Sequence, residues 1–400
     1  MYSSELNTPK PELDRRITNL QDYLNKNDID AALILQPVDL FYFAGTIQKA
    51  NLYVPAQGDP ILLVHKSTER ARAESGIGQI VHLDSPKEIP DILKANGYAP
   101  PRRLGLELDV LPANMFFNYR RLFQDTEIVD ISPPVRLIRA VKSAYEIDIM
   151  RRAAELSDRV AGHVPNILRE GMSELELAGK VEAEARRLGH QGVVRMRLWG
   201  GEMFYGHLMS GPTAAVPSYL ASPTGGVGPN PAMAQGPGFK PIQRHEPVLV
   251  DYVFAFNGYL SDHTRIFSLG SLPQELVDAH AAMLEVQKMV KDMAKPGVAS
   301  GAIYDKALAR AKELGYIDHF MGVAGKERIR FVGHGIGLEV DEFPFLASGQ
   351  DLALQEGMTI ALEPKLIFPG KGVVGIENTH VVTQDGLEQF GRFPEEIVVI

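Results

Sequence analysis

The chain begins with an alternation of amphipathic and apolar segments. Residues 12–27 carry Ile17, Leu20 and Leu24 on one helical face, which predicts an amphipathic helix. Short apolar runs then recur at residues 31–36, 39–45, 51–64, 80–84, 103–109 and 126–132. The run at residues 51–64 has the pattern of two strands around a Gly-Asp-Pro turn. An alternation of strands with helices is typical of an α/β domain, which here ends near residue 135.

The end of this first domain, residues 1–135, is marked by Pro133-Pro134. No catalytic motif is evident within it. Its isolated polar candidates are expected at the surface or in turns, and they are Asp39, His65 and Glu107. The second domain then covers residues 136–400.

The second domain contains a repeated helical segment. A capping box at Ser143 and Glu146 predicts a long helix at its start, and residues 170–189 and 296–315 then align without gaps. The identical pairs are Gly171/Gly297, Lys180/Lys306, Ala183/Ala309, Ala185/Ala311, Leu188/Leu314 and Gly189/Gly315. Two amphipathic helices can be alike by chance, but glycines at both ends in one register favour a duplicated half-domain. Duplicated halves would face each other across a pseudo-two-fold axis, with a cleft between them.

A segment rich in glycine and proline, residues 211–246, separates parts of the second domain. It is long for a loop in a compact domain, so it is either a mobile surface insertion or a lid over a site. Its glycines match no phosphate-binding pattern, and neither does the Gly-His-Gly-Ile-Gly stretch at residues 333–337. Nucleotide binding is therefore not indicated.

Two predicted β-hairpins carry pairs of acidic residues. In residues 248–267, an Asn257-Gly258 turn of type I′ would set Val253 opposite Asp262 and place Asp251 on the same face. The alternative is a solvated face, but the neighbouring apolar side chains favour a buried pair, which needs a cation.

The second hairpin, in residues 358–382, would turn at Pro369-Gly370-Lys371. A three-residue turn there sets Glu363 opposite Glu377. A lone glutamate in a strand commonly faces water, but two facing acid pairs in one domain favour a shared function.

A histidine within a glycine-rich stretch completes the candidate site. A single histidine beside glycines is commonly a buried, hydrogen-bonded turn residue, but the two acid pairs favour a metal ligand. We expect the glycines to let the backbone pass close to the site. The candidate metal ligands are Asp251, Asp262, His334, Glu363 and Glu377. Four carboxylates would balance two divalent ions, and oxygen ligands with one imidazole suit Mn, Co, Fe or Zn. Two such ions can share a water molecule and lower its pKa toward neutrality.

The composition excludes several other classes of protein. The chain has 400 residues, a net charge of −9 and no cysteine, so disulfides, thiolate zinc sites and cysteine nucleophiles are excluded. A nucleic-acid partner is not expected, because such proteins usually carry a basic surplus. No apolar run approaches the ~20 residues of a membrane span, and the first residues form no apolar signal peptide. We therefore expect no membrane association and a cytoplasmic location.

The order and local context of the five candidate ligands resemble the pita-bread metallopeptidases, a family that includes methionine aminopeptidase, aminopeptidase P, prolidase and, as a metal-free relative, creatinase. The similar segments are residues 137–146, 251, 257–265, 333–344, 363–364 and 376–379. The resemblance covers residues 136–400. Residues 1–135 resemble the extra N-terminal domain of prolidase, aminopeptidase P and creatinase.

This resemblance implies an α+β fold, in which a duplicated pita-bread catalytic domain follows a smaller α/β creatinase-like domain. It also implies a dinuclear metal site and, usually, a homodimer. By position, Asp251, Asp262 and Glu377 would serve the first ion and His334 and Glu363 the second, with Asp262 and Glu377 as bridges. Glu363 would be the general base for the bridging water.

Two positions depart from the family pattern. Prolidase-like enzymes carry histidines where this chain has Ser218 and Asp341, and those histidines usually bind the substrate carbonyl and stabilise the tetrahedral intermediate. The substrate could instead present a cation or a hydrogen-bond donor to Asp341, or His207 could take over the role; a plain strand position for His207 is an equal alternative. Arg195 and Arg197 could neutralise Asp341, although exposed salt bridges are the more common use of arginine.

The sequence therefore predicts a dinuclear metallohydrolase of the Xaa-Pro dipeptidase or aminopeptidase type, acting on small peptides or a related amide. The alternatives are a family member acting on a non-peptide small molecule, and a catalytically silent module that binds a metal or a partner. The two departures weaken the Xaa-Pro assignment specifically.

Overall fold

A computed structural model of the chain describes residues 6–197, 205–323, 325 and 328–400. The chain divides into two compact units, Met1–Arg139 and Ala140–Ile400. Across these described ranges, every helix is too short or too polar to span a membrane.

The first unit is built on one mixed sheet. Its elements are α1 (Lys10–Lys26), β1 (Ala31–Ile34), α2 (Pro37–Ala44), β2 (Ala50–Pro55), β3 (Ile61–Val64), α3 (Thr68–Glu74), β4 (Gln79–His82), α4 (Ile89–Ala95), β5 (Arg103–Leu106), α5 (Ala113–Leu122), β6 (Glu127–Asp130) and α6 (Ser132–Ala140). The strand order is β4-β3-β2-β1-β5-β6. The two pairings within β1-β2-β3 are antiparallel and the other three are parallel, so the predicted α/β alternation is confirmed.

The apolar run at residues 39–45 and the Pro133-Pro134 pair both lie in helices. The apolar run at residues 39–45 lies largely in α2, because the Gln36 side chain accepts a hydrogen bond from the Asp39 backbone N–H and Gly45 ends the helix with a φ of 74°. Pro133 and Pro134 lie in the first turn of α6, where a missing N–H costs no helical hydrogen bond.

Two of the three polar candidates of the first unit, Asp39 and Glu107, are buried, so the surface positions expected for them are wrong. Asp39 is 0% and Glu107 is 1% exposed. Arg139 Nη1 donates to Asp39 Oδ1 at 2.7 Å, and Glu107 Oε2 accepts from the backbone of Leu35 and Gln36. Burial, and then the neighbouring Asp39 carboxylate, raise the pKa of Glu107 well above its ordinary value. These groups are internal structural pairs, which sequence spacing alone did not indicate.

The second unit consists of helices packed on two larger sheets and one short hairpin. Its elements are α7 (Ala144–Ile167), α8 (Glu174–Arg187), β7 (Gly206–Ser210), β8 (Val248–Phe256), β9 (Tyr259–Ser268), α9 (Gln274–Met293), α10 (Ser300–Glu313), β10 (Phe331–Ile336), β11 (Val340–Ala347), β12 (Thr359–Leu362), β13 (Lys365–Phe368), β14 (Gly372–Gly375), β15 (Asn378–Thr383), β16 (Gly386–Gln389) and β17 (Val398–Val399). The sheet orders are β17-β9-β8-β7, β11-β10-β12-β15-β16 and β13-β14. The capping box predicted at Ser143 and Glu146 is present at the start of α7.

The internal duplication is visible in the second unit. A shift of 126 residues carries the bounds of α8 onto those of α10. The same shift relates Gly171 to Gly297, both with positive φ, and the bridge from Ser173 to Pro241 has its counterpart in the bridge from Ala299 to Ala353. Each half buries its own apolar cluster between a helix pair and a sheet. The repeat is therefore a structural unit and not a chance likeness of two helices.

Both predicted hairpin registers are present. In β8 and β9, Phe256 pairs with Tyr259 and Val253 with Asp262, and Asn257 and Gly258 have the positive φ of a type I′ turn. In the second hairpin, Leu362 pairs with Asn378 and Lys365 with Gly375. These two pairings bracket Glu363 and Glu377, which therefore lie opposite each other where the strands are interrupted.

Replacing Arg139 by methionine tests the buried pair of the first unit. The change removes the guanidinium that Asp39 contacts, and removal of one partner of a buried ion pair costs about 3–5 kcal/mol of the free energy of unfolding. Chemical denaturation would measure the loss. As a matched control, Lys10→Met removes an exposed pair with Asp14 and should change stability little. Similar losses in both variants would contradict the structural role assigned to Arg139.

Candidate metal centre

The five predicted ligands come together at one buried place in the second unit. Asp251 lies on β8, Asp262 on β9 and His334 on β10. Glu363 lies in the short connection from β12 to β13, and Glu377 lies in the connection from β14 to β15. Their residual exposures range from 2% to 8%. A solvated acidic face, the alternative reading of the two pairs, is thereby excluded.

The imidazole of His334 is oriented toward the acids. Nδ1 lies 3.0 Å from the Gly335 carbonyl oxygen, so Nδ1–H donates to that carbonyl in the neutral ring and Nε2 keeps its lone pair. Nε2 lies 3.9 Å from one carboxylate oxygen each of Asp262, Glu363 and Glu377. This orientation is the one that a metal-binding histidine requires.

Three of the five side chains form a set that fits one metal ion. One ligand atom each of Asp262, His334 and Glu377 lies within 4.8 Å of the others. Two carboxylates and one imidazole suit a hard or borderline divalent ion such as Mn, Fe, Co or Zn. The donor set therefore fits the ion that the sequence resemblance implies, although the grouping differs from the expected division of the ligands between two ions.

The other two acids, Asp251 and Glu363, surround together with Glu377 a side chain that sequence reasoning missed. Lys365 Nζ donates to Asp251 Oδ2 at 3.0 Å, to Glu363 Oε2 at 2.9 Å and to Glu377 Oε2 at 2.7 Å, and the lysine side chain is 2% exposed. Burial would lower its pKa, but the three carboxylates hold the pKa of Lys365 well above its ordinary value. The group is therefore an ammonium ion within the acid cluster.

A local signal for this lysine was present in the sequence. Lys365 follows Glu363 by two residues, so an extended backbone points both side chains to one face. It also opens the apolar run Lys-Leu-Ile-Phe. Lysine is rarely buried unless it is paired, and a lysine at the start of a buried strand next to an acid therefore indicates an internal ion pair.

The acids differ in how strongly the cluster perturbs them. Burial alone would raise the pKa of Asp251, but Lys365 and His207 bring it below its ordinary value. Burial, followed by the negative charges of Glu377 and Asp251, raises the pKa of Asp262 well above its ordinary value. Burial also raises the pKa of Glu377 to about 7, against the opposing effect of Lys365. Among the described contacts, Asp262 accepts no hydrogen bond from Lys365 and keeps a raised pKa, so additional positive charge fits beside Asp262, which forms a set with His334 and Glu377.

Groups behind the acids fix their positions. Thr264 Oγ1 donates to Glu377 Oε2 at 2.9 Å, and the Asp262 backbone N–H donates to Thr379 Oγ1 at 2.9 Å. The buried guanidinium of Arg265 donates to the Glu377 carbonyl at 3.0 Å. The strands that carry Asp262 and Glu377 are thereby tied together before any ion binds.

The glycines beside His334 admit neighbouring strands. A Cβ on Gly333 would lie 2.5 Å from the Ala361 carbonyl oxygen of β12, and one on Gly335 would lie 2.2 Å from the Phe343 carbonyl oxygen of β11. The predicted close backbone approach is therefore present, but it is an approach of the flanking strands. It lets β10 carry His334 in the middle of the sheet.

The acids open into a cavity of about 100 Å³. Its walls include Met196, Gly206, His207, Leu220, Ala221, Ser222, Gln235, Val253, Phe331, Val340 and Asp341, together with the five predicted ligands and Lys365. Four of these residues belong to the segment 211–246, so the structure favours a lid over the site rather than a surface insertion. Glu174 anchors this segment, because its carboxylate accepts from the backbone N–H groups of Ser210 and Gly238.

Comparison with known proteins agrees with this geometry. The profile of Metallopeptidase family M24 matches residues 148–384, and that of the Creatinase/Prolidase N-terminal domain matches residues 16–141. The chain belongs to metallopeptidase family M24. It is therefore a metallopeptidase-type hydrolase with the pita-bread fold and a creatinase-type N-terminal domain, as the motifs predicted.

Relatives of this M24 chain match it over nearly its whole length. It is 29% identical over 390 residues to a Xaa-Pro dipeptidase of Pyrococcus furiosus, covering 96% of this chain and 100% of that protein. It is 27% identical over 395 residues to a Xaa-Pro dipeptidase of Lactobacillus delbrueckii subsp. lactis, covering 96% and 98%. A solved Xaa-Pro dipeptidase from Bacillus anthracis superposes with a TM-score of 0.82 at 25% identity, covering 97% and 100%.

His207 is a strand residue of β7, and its side chain also lines the cavity. It pairs across the sheet with Asp251, and its Nδ1 lies 3.8 Å from Asp251 Oδ2. Its Nε2 lies 2.8 Å from the Gln235 side-chain amide, and Ser218 Oγ donates to Gln235 Oε1 at 2.9 Å. Ser218 itself is not among the described residues of the cavity wall, so it reaches the site only through Gln235 and His207.

Asp341, the second departure, reaches the site directly. Its Oδ1 lies 3.6 Å from His334 Nδ1, and its backbone has a φ of 64°, a left-handed conformation that aspartate tolerates better than most residues. The side chain of Arg197 is 3% exposed, with Nη1 4.0 Å from Glu339 Oε2. The exposed position expected for Arg197 is therefore wrong.

We predict that the metal-free protein loses stability as the pH rises. Burial opposes protonation of His334, but Asp341, Glu363, Asp262 and Glu377 raise its pKa to about 9 from 6.5. A group whose pKa is higher when folded stabilises the protein fully below its unfolded pKa and loses that effect through its folded pKa. After chelation, the free energy of unfolding should fall by about 3 kcal/mol between about pH 6.5 and pH 9.

The control for this pH dependence is the variant His334→Asn, which cannot titrate. Its stability should change less across the same pH interval, although Asp262 and Glu377, whose pKa values are also raised in the folded protein, add changes of the same sign. Denaturant melts at several pH values would measure both proteins. Parallel curves would show that His334 does not carry the charge assigned to it.

Proposed function

We propose that the chain is a dipeptidase of the Xaa-Pro type that acts on small peptides. The observation that supports this most is a combination: the chain aligns over 96% of its length with a Xaa-Pro dipeptidase, and its five predicted metal ligands line one buried cavity. An end-to-end relationship argues for the same chemistry, and a converged acid–imidazole cluster supplies the means to perform it.

The dimensions and charge of the cavity support a small substrate with a free amino terminus. The segment 211–246 contributes one wall through Leu220, Ala221, Ser222 and Gln235, and so restricts access by longer chains. Asp341 adds a fifth carboxylate to the four of the cluster. A substrate ammonium group would offset part of this negative charge, and a dipeptide carries such a group close to its scissile bond.

The proposed chemistry is hydrolysis of the peptide bond by an activated water molecule. A divalent ion held by Asp262, His334 and Glu377 would supply Lewis acidity toward the substrate carbonyl and the water. Glu363 is the proposed general base: its Oε2 accepts from Lys365 and its Oε1 is turned toward His334. Burial raises the pKa of Glu363, while Lys365 and His334 oppose the rise, and a raised carboxylate pKa suits proton transfer near neutral pH.

Because the two usual histidines are absent, we assign their roles in substrate binding to other residues of the cavity. His207, held by Gln235, lies where it could donate to the developing oxyanion in place of the usual histidines. Asp341 is proposed to bind the substrate ammonium. We expect Mn, Co, Fe or Zn as the ion, and the homodimer and the cytoplasmic location stay predictions.

A second candidate is hydrolysis of a related amide in a non-peptide molecule. One observation favours it: a carboxylate at 341 and the Ser218–Gln235–His207 chain replace the two histidines of prolidase-like enzymes. A cavity with these groups recognises a cationic substrate more readily than a prolyl carboxylate. The catalytically silent module is disfavoured, because all five predicted ligands are retained and line one cavity.

A substrate panel distinguishes the candidates. The purified full-length chain, supplied with Mn²⁺ or Co²⁺, would be assayed with Xaa-Pro dipeptides, dipeptides without proline, and N-acetylated forms of both. We expect turnover of free dipeptides and a large loss on acetylation, because acetylation removes the ammonium group. Metal binding without turnover of any peptide would favour the non-peptide candidate.

We predict that Glu363→Gln lowers kcat by a factor of about 10²–10⁴, the usual contribution of a general base. KM should change much less, since glutamine has nearly the same shape. The matched control is Glu356→Gln, which alters an exposed carboxylate that accepts from Gln384 and should leave kcat unchanged. Unchanged turnover in Glu363→Gln would assign the proton transfer to another group.

A further inference from the structure

We infer that Lys365 replaces the second metal ion, so that this site holds a single divalent cation beside a fixed ammonium group. The inference concerns the same site as the proposed function but goes beyond it, because it fixes the number of ions that the site accepts. It also disagrees with the two-ion site that the sequence resemblance implied. Its test measures metal binding, so it can fail or succeed independently of the substrate.

The first argument is steric. Nζ of Lys365 lies 2.7–3.0 Å from one oxygen each of Asp251, Glu363 and Glu377. A transition-metal ion would bind those same oxygens at about 2.0–2.2 Å. An ion on the same side of these oxygens would overlap with the ammonium nitrogen, so the lysine would have to leave before the ion could bind.

The second argument is the balance of charge. Asp251, Asp262, Glu363 and Glu377 carry four negative charges when ionised. One divalent ion and one ammonium group bring three positive charges, which leaves one negative charge in the buried set. Two divalent ions with the ammonium would bring five against these four acids, which are at most 8% exposed. Asp341 does not restore the balance of the buried set, because its side chain is 31% exposed and water screens much of its charge. A buried excess of positive charge is unfavourable.

The third argument is that the cluster contains one set of residues that fits a metal ion and another set that contacts Lys365. Asp262, His334 and Glu377 remain as a compact set for one ion, and Asp262 is not among the acceptors of Lys365. Glu377 joins the two positions: its Oε2 accepts from Lys365, and its Oε1 faces His334. The geometry of a bridging carboxylate is thus kept, with an ammonium ion on one side in place of a metal.

The test is the binding stoichiometry of the full-length chain for Mn²⁺. The protein would be stripped with a chelator, dialysed against increasing Mn²⁺, and analysed for metal per chain. We expect one ion in the native protein and two in Lys365→Ala and Lys365→Met, which free the three oxygens. Electron paramagnetic resonance should show an isolated Mn²⁺ ion in the native protein and an exchange-coupled pair in the variants.

The matched control is Lys371→Met, which removes a partly exposed lysine of the same hairpin that pairs with Glu275 and should leave the stoichiometry at one. Two ions in the native protein, or one ion in a folded Lys365 variant, would overturn the inference. If both variants fail to fold, the native protein still decides: anomalous scattering from Mn²⁺-soaked crystals should show one site, with Lys365 Nζ in contact with Asp251. Two anomalous sites would refute it.

Discussion

The need to neutralise four buried carboxylates organises the second unit of this chain. Asp251, Glu363 and Glu377 surround the Lys365 ammonium at hydrogen-bond distance, and Asp262 lies on the other side of Glu377, with His334. Buried like charges are tolerated only where cations and hydrogen bonds compensate them. The structure supplies the Lys365 ammonium from its own side chains, and the geometry of Asp262, His334 and Glu377 fits an ion that would supply further positive charge.

The scaffold around this cluster is rigid because it is built from paired strands in fixed register. The tight turn at Asn257-Gly258 sets Asp251 and Asp262 on one face of a hairpin. Close packing of β10 between β11 and β12, which the glycines beside His334 permit, carries the imidazole to the same place. Arg265 and Thr264 join the two halves at Glu377. Each acid is therefore held by backbone hydrogen bonds rather than by the ion alone.

Membership in metallopeptidase family M24 and the position of Lys365 describe two different properties of the site. The family relationship indicates the chemistry, which is hydrolysis assisted by a divalent ion. Lys365 changes the electrostatics, because it lowers the negative charge of the cluster without adding a second Lewis acid. An ammonium group can hold and orient Glu363 as a base, but it cannot coordinate a substrate atom as a metal does. With one ion, the proposed roles of Asp341, which stands where prolidase-like enzymes carry a histidine, and of His207 in substrate binding become more important.

The sequence by itself determined the local geometry, because strand period and turn type fix which side chains share a face. It thereby predicted the register of both acid pairs, the repeated helix between Gly171 and Gly189, and the five groups that converge. Only the tertiary structure decided what lies between elements far apart in the chain. It buried Asp39 against Arg139, brought Gln235 to His207, and placed Lys365 among acids from three separate strand segments. The physical reason is that the spacing of residues along a strand fixes the direction in which their side chains point. Charge compensation depends instead on which groups folding brings within hydrogen-bond distance.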